Sequence, residues 1–338
     1  MRNISDILDM TLITYNRAPY LEKTLAAVLA DESPVRNCEL TILDNRSTDG
    51  TAQVIAAFCA RHPNVKHVVN RFNVGGNANI AKALERHEKP YHWILCDDDK
   101  YDWTGWPEVE AAMAADAKMI CVGDRYLAPS GPRRQDVAQL LQQMTFLPSI
   151  IYGPGTVTDT VMRNAYDNTF ALFPHLAPVV AHVNHGGAIH VIGHGIVQPG
   201  LYGNDGSYTR GDKREEVFLK SRTMTMAAGF ANLTANLTDR RLSKRAFKAL
   251  VLGPQMGLLG FLGQQFFHLR GRAGAASFHD IWHQSPLWLK AVLLPLRLLQ
   301  NSPLYHLLSS QWLYRKAQRL VDWVNGRSHK ALKRDTGK

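Results

Sequence analysis

Strand and helix patterns alternate four times in about the first hundred residues. The strand-like runs are Met10-Thr11-Leu12-Ile13-Thr14, Glu39-Leu40-Thr41-Ile42-Leu43, Val65-Lys66-His67-Val68-Val69 and Trp93-Ile94-Leu95-Cys96. Between them, Leu21, Leu25, Val28 and Leu29 share one helical face after Pro19. Val54, Ile55 and Phe58 share another, and Ala81 and Leu84 a third. Such alternation predicts a doubly wound, mostly parallel α/β sheet. The polar clusters Thr14–Arg17, Asp44–Asp49 and Asp97–Asp99 directly follow strands. They are therefore expected together on one edge of the sheet, where open α/β folds bind ligands.

The fourth run ends without a spacer in Asp97-Asp98-Asp99. Adjacent acids repel, so they need solvent or a cation. A divalent ion carrying a phosphate suits them, because Mg²⁺ takes one or two carboxylates and keeps substrate oxygens in its other positions. In extended backbone Asp97 and Asp99 point one way and Asp98 the other. A solvated acidic turn is the alternative that these residues leave open. An EF-hand is excluded, since the glycine and terminal glutamate are missing at loop spacing.

The phosphate-binding glycine patterns G-x-G-x-x-G and G-x-x-x-x-G-K-[ST] are absent after the first strand, where Tyr15-Asn16-Arg17 follows instead. A base or ribose held by side chains fits this turn, which leaves the phosphates to the acids of the fourth strand.

Taken in order, Thr14-Tyr15-Asn16-Arg17, Leu43-Asp44-Asn45-x-Ser47-Thr48-Asp49-Gly50-Thr51, Asn73-x-Gly75-Gly76-x-x-Asn79 and Asp97-x-Asp99 resemble glycosyltransferase family 2 over about residues 9–125. The resemblance implies an inverting, metal-dependent enzyme of the GT-A fold. It implies a nucleotide-sugar donor, with a UDP-sugar first, and Mg²⁺ or Mn²⁺ as cofactor. Asp44 and Asn45 would then meet the base or ribose. Thr14, Tyr15, Asn16 and Arg17 would line the base pocket, with Arg71, Asn73 and Gly75 at its border. Asp97, Asp98 and Asp99 would face the donor, Asp99 and Asp97 as metal ligands.

Inversion needs a general base on the far side of the sugar. The Glu-Asp pair that many family members carry is not found here. The candidates, in order, are Asp167, Asp159 and Asp205. Arg210, in a turn-rich stretch from Gly200 to Gly211, is a candidate partner of the diphosphate. His182, His185, His190 and His194 lack the spacing of a zinc motif.

Charge divides the chain. Residues 1–239 hold 22 Lys/Arg and 26 Asp/Glu, whereas residues 240–338 hold 17 Lys/Arg and only Asp280, Asp322 and Asp335. The expected organisation is a catalytic domain over 1–220, with a nucleotide-sugar half (1–125) and an acceptor half (126–220). A basic amphipathic helical region over 221–338 follows. Aromatic and aliphatic side chains beside Lys and Arg suit contact with an anionic membrane surface.

The N-terminus has no apolar core of a secretory signal, and the scattered cysteines suggest free thiols in a reducing compartment. The expected location is cytoplasmic, peripheral on the inner face of the membrane. The expected acceptor is a glycan or lipid-linked glycan of a bacterial surface polysaccharide. Two alternatives are a non-catalytic nucleotide-sugar-binding protein and a nucleic-acid binder; the latter lacks any recognisable module, and no nucleic acid is expected as a partner.

Overall fold

The computed structural model describes residues 3–123, 131–133, 136–167, 169, 173–198, 200, 226–253, 257–258, 261–262, 265 and 271–299. After a single turn, α1 (Ile4–Ile7), come β1 (Leu8–Thr14), α2 (Ala18–Val28), β2 (Glu39–Asp44), α3 (Thr51–Cys59), β3 (Val65–Val69), α4 (Gly76–Leu84) and β4 (Tyr91–Cys96). The next stretch adds β5 (Lys100–Tyr101), α5 (Trp106–Ala114), β6 (Met119–Cys121), β7 (Gly131–Arg133), α6 (Val137–Met144), β8 (Ile150–Tyr152), α7 (Asp159–Asp167), α8 (Ala177–Asn184), β9 (Ile189–Val191) and β10 (Val197–Gln198). Four further helices follow: α9 (Met226–Ala235), α10 (Arg240–Leu252), α11 (Gly271–Gln284) and α12 (Leu287–Leu299).

Eight strands form one sheet in the order β3-β2-β1-β4-β8-β6-β9-β7. The pairs among β1 to β4 are parallel, as is β6–β9. Strand β8 joins β4 and β6 antiparallel, and β7 joins β9 antiparallel. The sheet is therefore mixed, with its parallel half in the strands that the apolar pattern marked out. Strands β5 and β10 pair antiparallel as a small separate ribbon.

Side chains alternate between two buried layers, as the pleat requires. Tyr91, Trp93 and Leu95 of β4 enter the layer under α2, α3 and α5. Ile94 enters the opposite layer with α4, α6 and α8. That second layer also holds Phe230, Phe247, Leu250, Phe278, Ile281, Leu289 and Leu293. The C-terminal helices thus share a core with the sheet. Each such large side chain contributes about 1.5–3 kcal/mol on burial. Asp239 begins α10 by accepting from the amides of Arg241 and Leu242, which satisfies donors that a helix start leaves open.

At the edge of the sheet where the parallel strands begin, Asp9 of β1 is buried beside His92 of β4, with Oδ1 2.5 Å from Nδ1. Asp9 Oδ2 accepts from the amides of Glu88 and Lys89 at 2.9 and 2.8 Å. His92 Nε2 lies 3.0 Å from the Ala83 carbonyl. Every polar atom of this buried pair is engaged, which fixes the loop between α4 and β4 against β1.

Candidate active site

The site is built where the parallel strands end. Thr14 pairs in register with Asp44 on one side, and Ile13 pairs with Cys96 on the other. Thr14 Oγ1 donates to Asp97 Oδ2 at 2.7 Å. Thr24 of α2 donates to the Asp97 carbonyl at 2.9 Å. Asp44 and Asp97 therefore flank Thr14, about 10 Å apart at two strand spacings.

Two loops are laced together along this edge. Asn16, in a left-handed conformation with φ 52°, takes its amide to Ser47 Oγ at 2.9 Å and accepts from the Thr48 amide at 2.7 Å. Asparagine tolerates this region better than most side chains. The Arg17 amide donates to Thr51 Oγ1, and Asp49 accepts from the amides of Ala18 and Thr51. Asp49 thus ties together the starts of α2 and α3. Asp44, 2% exposed, accepts from the Ser47 amide and hydroxyl through Oδ1 at 2.8 and 2.6 Å. Its Oδ2 faces His67 Nε2 at 3.6 Å, too long for a hydrogen bond. Tyr15 is half-buried in the same turn.

Asn45 holds the third loop. Its amide group donates to Asn73 Oδ1 at 2.8 Å, and its Oδ1 accepts from Asn70 and from the Val74 amide at 3.0 Å each. Asn70 also donates to Asn79 at 2.7 Å. Gly75 opens α4 at φ 82°, a conformation glycine adopts without strain. Arg71 and Asn73 are exposed at this rim.

The acids form a turn and do not continue the strand, so the strict alternation expected of extended backbone does not hold. Asp97 and Asp99 are 6% and 2% exposed. Arg17 Nη1 reaches Asp98 Oδ2 at 2.5 Å and Asp97 Oδ1 at 3.7 Å. Asp97 and Asp98 therefore share one guanidinium, and Asp99 is held apart, its Oδ1 accepting from the Gly200 amide at 3.3 Å. Asp99 Oδ2 is buried with no partner. Burial raises Asp97 to about 7, while Arg17 and the Thr14 hydroxyl pull it down. Burial, and then the charge of Asp98, raise Asp99 to about 8. An unpartnered buried carboxylate oxygen is costly unless a cation completes it.

Asp97 and Asp99 fit a hard divalent ion in donor type. Among the described residues no group of three or more His, Cys, Asp or Glu could hold a metal ion. The rest of a shell would then be water or phosphate oxygen, as Mg²⁺ prefers.

The base candidates divide. Asp159 and Asp167 lie at opposite ends of α7 and both are exposed. Eight residues of helix separate them by about 12 Å. Just past Asp167, the Thr169 carbonyl accepts from Asn77 of α4 at 2.8 Å. Tyr166, next to Asp167, hydrogen-bonds Glu85 at the other end of α4. The C-terminal end of α7, with Asp167, therefore lies along α4, and Asp159 stands at the other end of α7. Thr158 caps α7 by accepting from the Val161 amide at 3.3 Å. Asp205 and Arg210 lie outside the described residues. The histidines are occupied separately, His182 with the Ala188 carbonyl, His185 with that of Ala181 and His194 with Glu108.

Asn70, His67 and Thr24 also belong to the site but were not singled out from the sequence. His67 could have been found, since alternation in β3 sets it on the opposite face from Lys66 and Val68. Asn70 and Thr24 depend on strand register, which the pattern alone does not supply.

Residues 11–165 match the model of a family described as glycosyl transferase family 2. The match spans under half of the chain. Among curated relatives, an N-acetylglucosaminyl-diphospho-decaprenol L-rhamnosyltransferase of Mycobacterium tuberculosis is 40% identical over 82 residues, 24% of this chain and 25% of the relative. The abequosyltransferase RfbV of Salmonella typhimurium is 30% identical over 94 residues, 28% of each chain. The chain thus spans about a quarter of the length of these two relatives. Among solved structures, S. aureus TarS 1-349 in complex with UDP-GlcNAc superposes with a TM-score of 0.54 at 13% identity, covering 93% of this chain and 92% of that one. At that identity the likeness shows the fold, which is of the GT-A type with a helical C-terminal region.

Proposed function

We propose that this chain is an inverting glycosyltransferase that moves a sugar from a nucleoside diphosphate sugar to an acceptor hydroxyl. The carrying observation is the buried, unpartnered Asp99 Oδ2 beside Asp97, on the strand edge that also presents Asp44. A UDP-sugar is the first donor to try, since TarS of the same fold was solved with UDP-GlcNAc. Asp44 Oδ2 offers an acceptor to a base N–H or ribose hydroxyl, with Thr14, Tyr15, Asn16 and Arg17 beside it and Asn45, Arg71, Asn73 and Gly75 framing the far side.

Asp97 and Asp99 would hold Mg²⁺ or Mn²⁺. The ion supplies positive charge to the diphosphate as it leaves. Asp167 takes the acceptor proton as the acceptor oxygen bonds to the anomeric carbon and the bond to the diphosphate oxygen breaks. Its place at the α4 end of α7 favours it over Asp159. Asp205 as a base, and Arg210 on the diphosphate, stay within the proposal.

A catalytic unit over 1–220 would carry this chemistry, and the helical region over 221–338 would be accessory to it. The acceptor is read as a lipid-linked glycan of a bacterial surface polysaccharide. The name of the Mycobacterium tuberculosis relative, which places its acceptor on decaprenol diphosphate, supports this. Cytoplasmic location with peripheral membrane contact belongs to the same reading. Among the described residues no helix is long and apolar enough to cross a membrane.

The test is a panel of nucleotide sugars with Mn²⁺ or Mg²⁺, scored for donor hydrolysis and for transfer. One donor is expected to turn over, and Asp99→Ala to lose that turnover. UDP binding without turnover of any donor would favour the non-catalytic sugar-nucleotide binder instead.

A further inference from the structure

We propose that the exposed faces of α10 and α12 form one docking surface for an anionic lipid bilayer. The surface is defined by its own residues, and its purpose, presenting a lipid-linked acceptor, rests on the glycosyltransferase reading.

Helix α12 is apolar on two faces and buries one. Leu289 and Leu293 are fully buried in the core. Leu287, Leu294 and Leu298 are 85%, 45% and 72% exposed. Their spacing, with Ala291 between, sets them in one stripe along the helix. Trp288 and Val292 are exposed beside it.

Helix α10 presents a different outer face. Arg241, Lys244, Arg245 and Lys248 follow helical spacing and are all exposed, while Ala246, Phe247 and Leu250 face the core. The two outer faces meet where Lys248 Nζ lies 6.0 Å from the Trp288 ring centroid. Lys290 and Arg297 of α12 sit over Trp282 at 5.8 and 4.2 Å. An apolar stripe ringed by cations and tryptophan is the composition of a helix lying in a membrane interface.

Charge selects the occupant. Residues 240–299 hold nine Lys/Arg and one acid, Asp280. A second copy seated face to face would bring like charges together, which is unfavourable. Anionic headgroups neutralise these cations while the stripe enters the acyl boundary. Among the described residues no helix is long and apolar enough to cross a membrane, and the contact proposed is a peripheral one.

The full-length chain is sedimented with vesicles of phosphatidylglycerol and phosphatidylcholine, and with phosphatidylcholine alone. Binding is expected on the anionic vesicles only, and release in salt of about 0.5 M, where screening is short-ranged. Leu287→Ser/Leu294→Ser/Leu298→Ser is expected to lower partition at least tenfold. Lys244→Gln/Arg245→Gln/Lys248→Gln is expected to lower it about fivefold per charge removed. Both sets change exposed side chains, and an unchanged melting temperature checks the fold. If the leucine set misfolds, the charge set carries the test. No binding to anionic vesicles, or equal binding by folded variants and wild type, overturns the proposal. So does a wild-type dimer, seen by light scattering, that either set splits. Donor hydrolysis is measured on the same samples without vesicles. Vesicle binding without hydrolysis would overturn the enzymatic reading and leave the surface standing, and hydrolysis without vesicle binding would do the reverse.

Discussion

Thr14 Oγ1 donates to Asp97 Oδ2 at 2.7 Å, and Thr14 is also the register partner of Asp44. One hydroxyl at the end of β1 thus couples the acidic turn to the strand that carries Asp44. Thr14→Val keeps the shape and removes the donor. The loss of this bond is expected to cost roughly 1–3 kcal/mol of stability. It also pushes Asp97 further up, so metal-supported UDP affinity at neutral pH should fall. Thr14→Ser should restore both. Thermal melts and calorimetry check the pair.

Burial sets a pH dependence. Asp97 stands at about 7 and Asp99 at about 8, against 3.8 for the free side chain. Between these values the unfolded chain has lost protons that the fold keeps. Without metal, stability should therefore fall as pH rises from about 4 to about 8. Asp97→Asn/Asp99→Asn should flatten that slope and raise the melting temperature at the upper end. Added Mn²⁺ requires ionised carboxylates, so its stabilisation of wild type should grow across the same window. Melts at stepped pH, with and without Mn²⁺, read both effects.

At the other end of the sheet, Asp9→Ala strands His92 and the two amides of Glu88 and Lys89. Each buried donor left without its partner costs about 1–3 kcal/mol. Urea denaturation should show that loss, while UDP affinity of the folded protein stays at the wild-type value.

Asp167→Asn should lower kcat by about 10²–10⁴ with UDP affinity unchanged, as loss of a general base does. Asp159→Asn should leave kcat near wild type, since Asp159 sits at the far end of α7. Steady-state kinetics on the identified donor separates the two.

The parallel half of the sheet was legible because β1 to β4 each combine an apolar run with an adjoining helical period. The acids were legible because Asp97–Asp99 follow a buried strand directly. What stayed hidden depends on pairing between distant segments. Strands β6 and β8 lie within the apolar runs Lys118–Val122 and Ser149–Tyr152, which read as strands. Strands β7 and β10, by contrast, are three and two residues long and β7 contains Pro132, so their pattern is too short to read. The alternation argument for Asp97–Asp99 failed because the chain turns at Asp97. The Asn45–Asn70–Asn79 network forms only once β2 and β3 are in register. The base is the weakest inference from sequence, since Asp159 and Asp167 differ only in which end of α7 meets α4.

Calorimetric titration of UDP into wild type and Asp99→Ala, with and without Mn²⁺, addresses the grip on the diphosphate itself. Mn²⁺ should tighten UDP binding at least tenfold in wild type, through bonds that Asp99 and Asp97 make to the ion. In the folded Asp99→Ala protein that enhancement should vanish, while metal-free UDP affinity remains. An undiminished Mn²⁺ effect in Asp99→Ala would contradict the assignment of the acidic turn as the metal and diphosphate site.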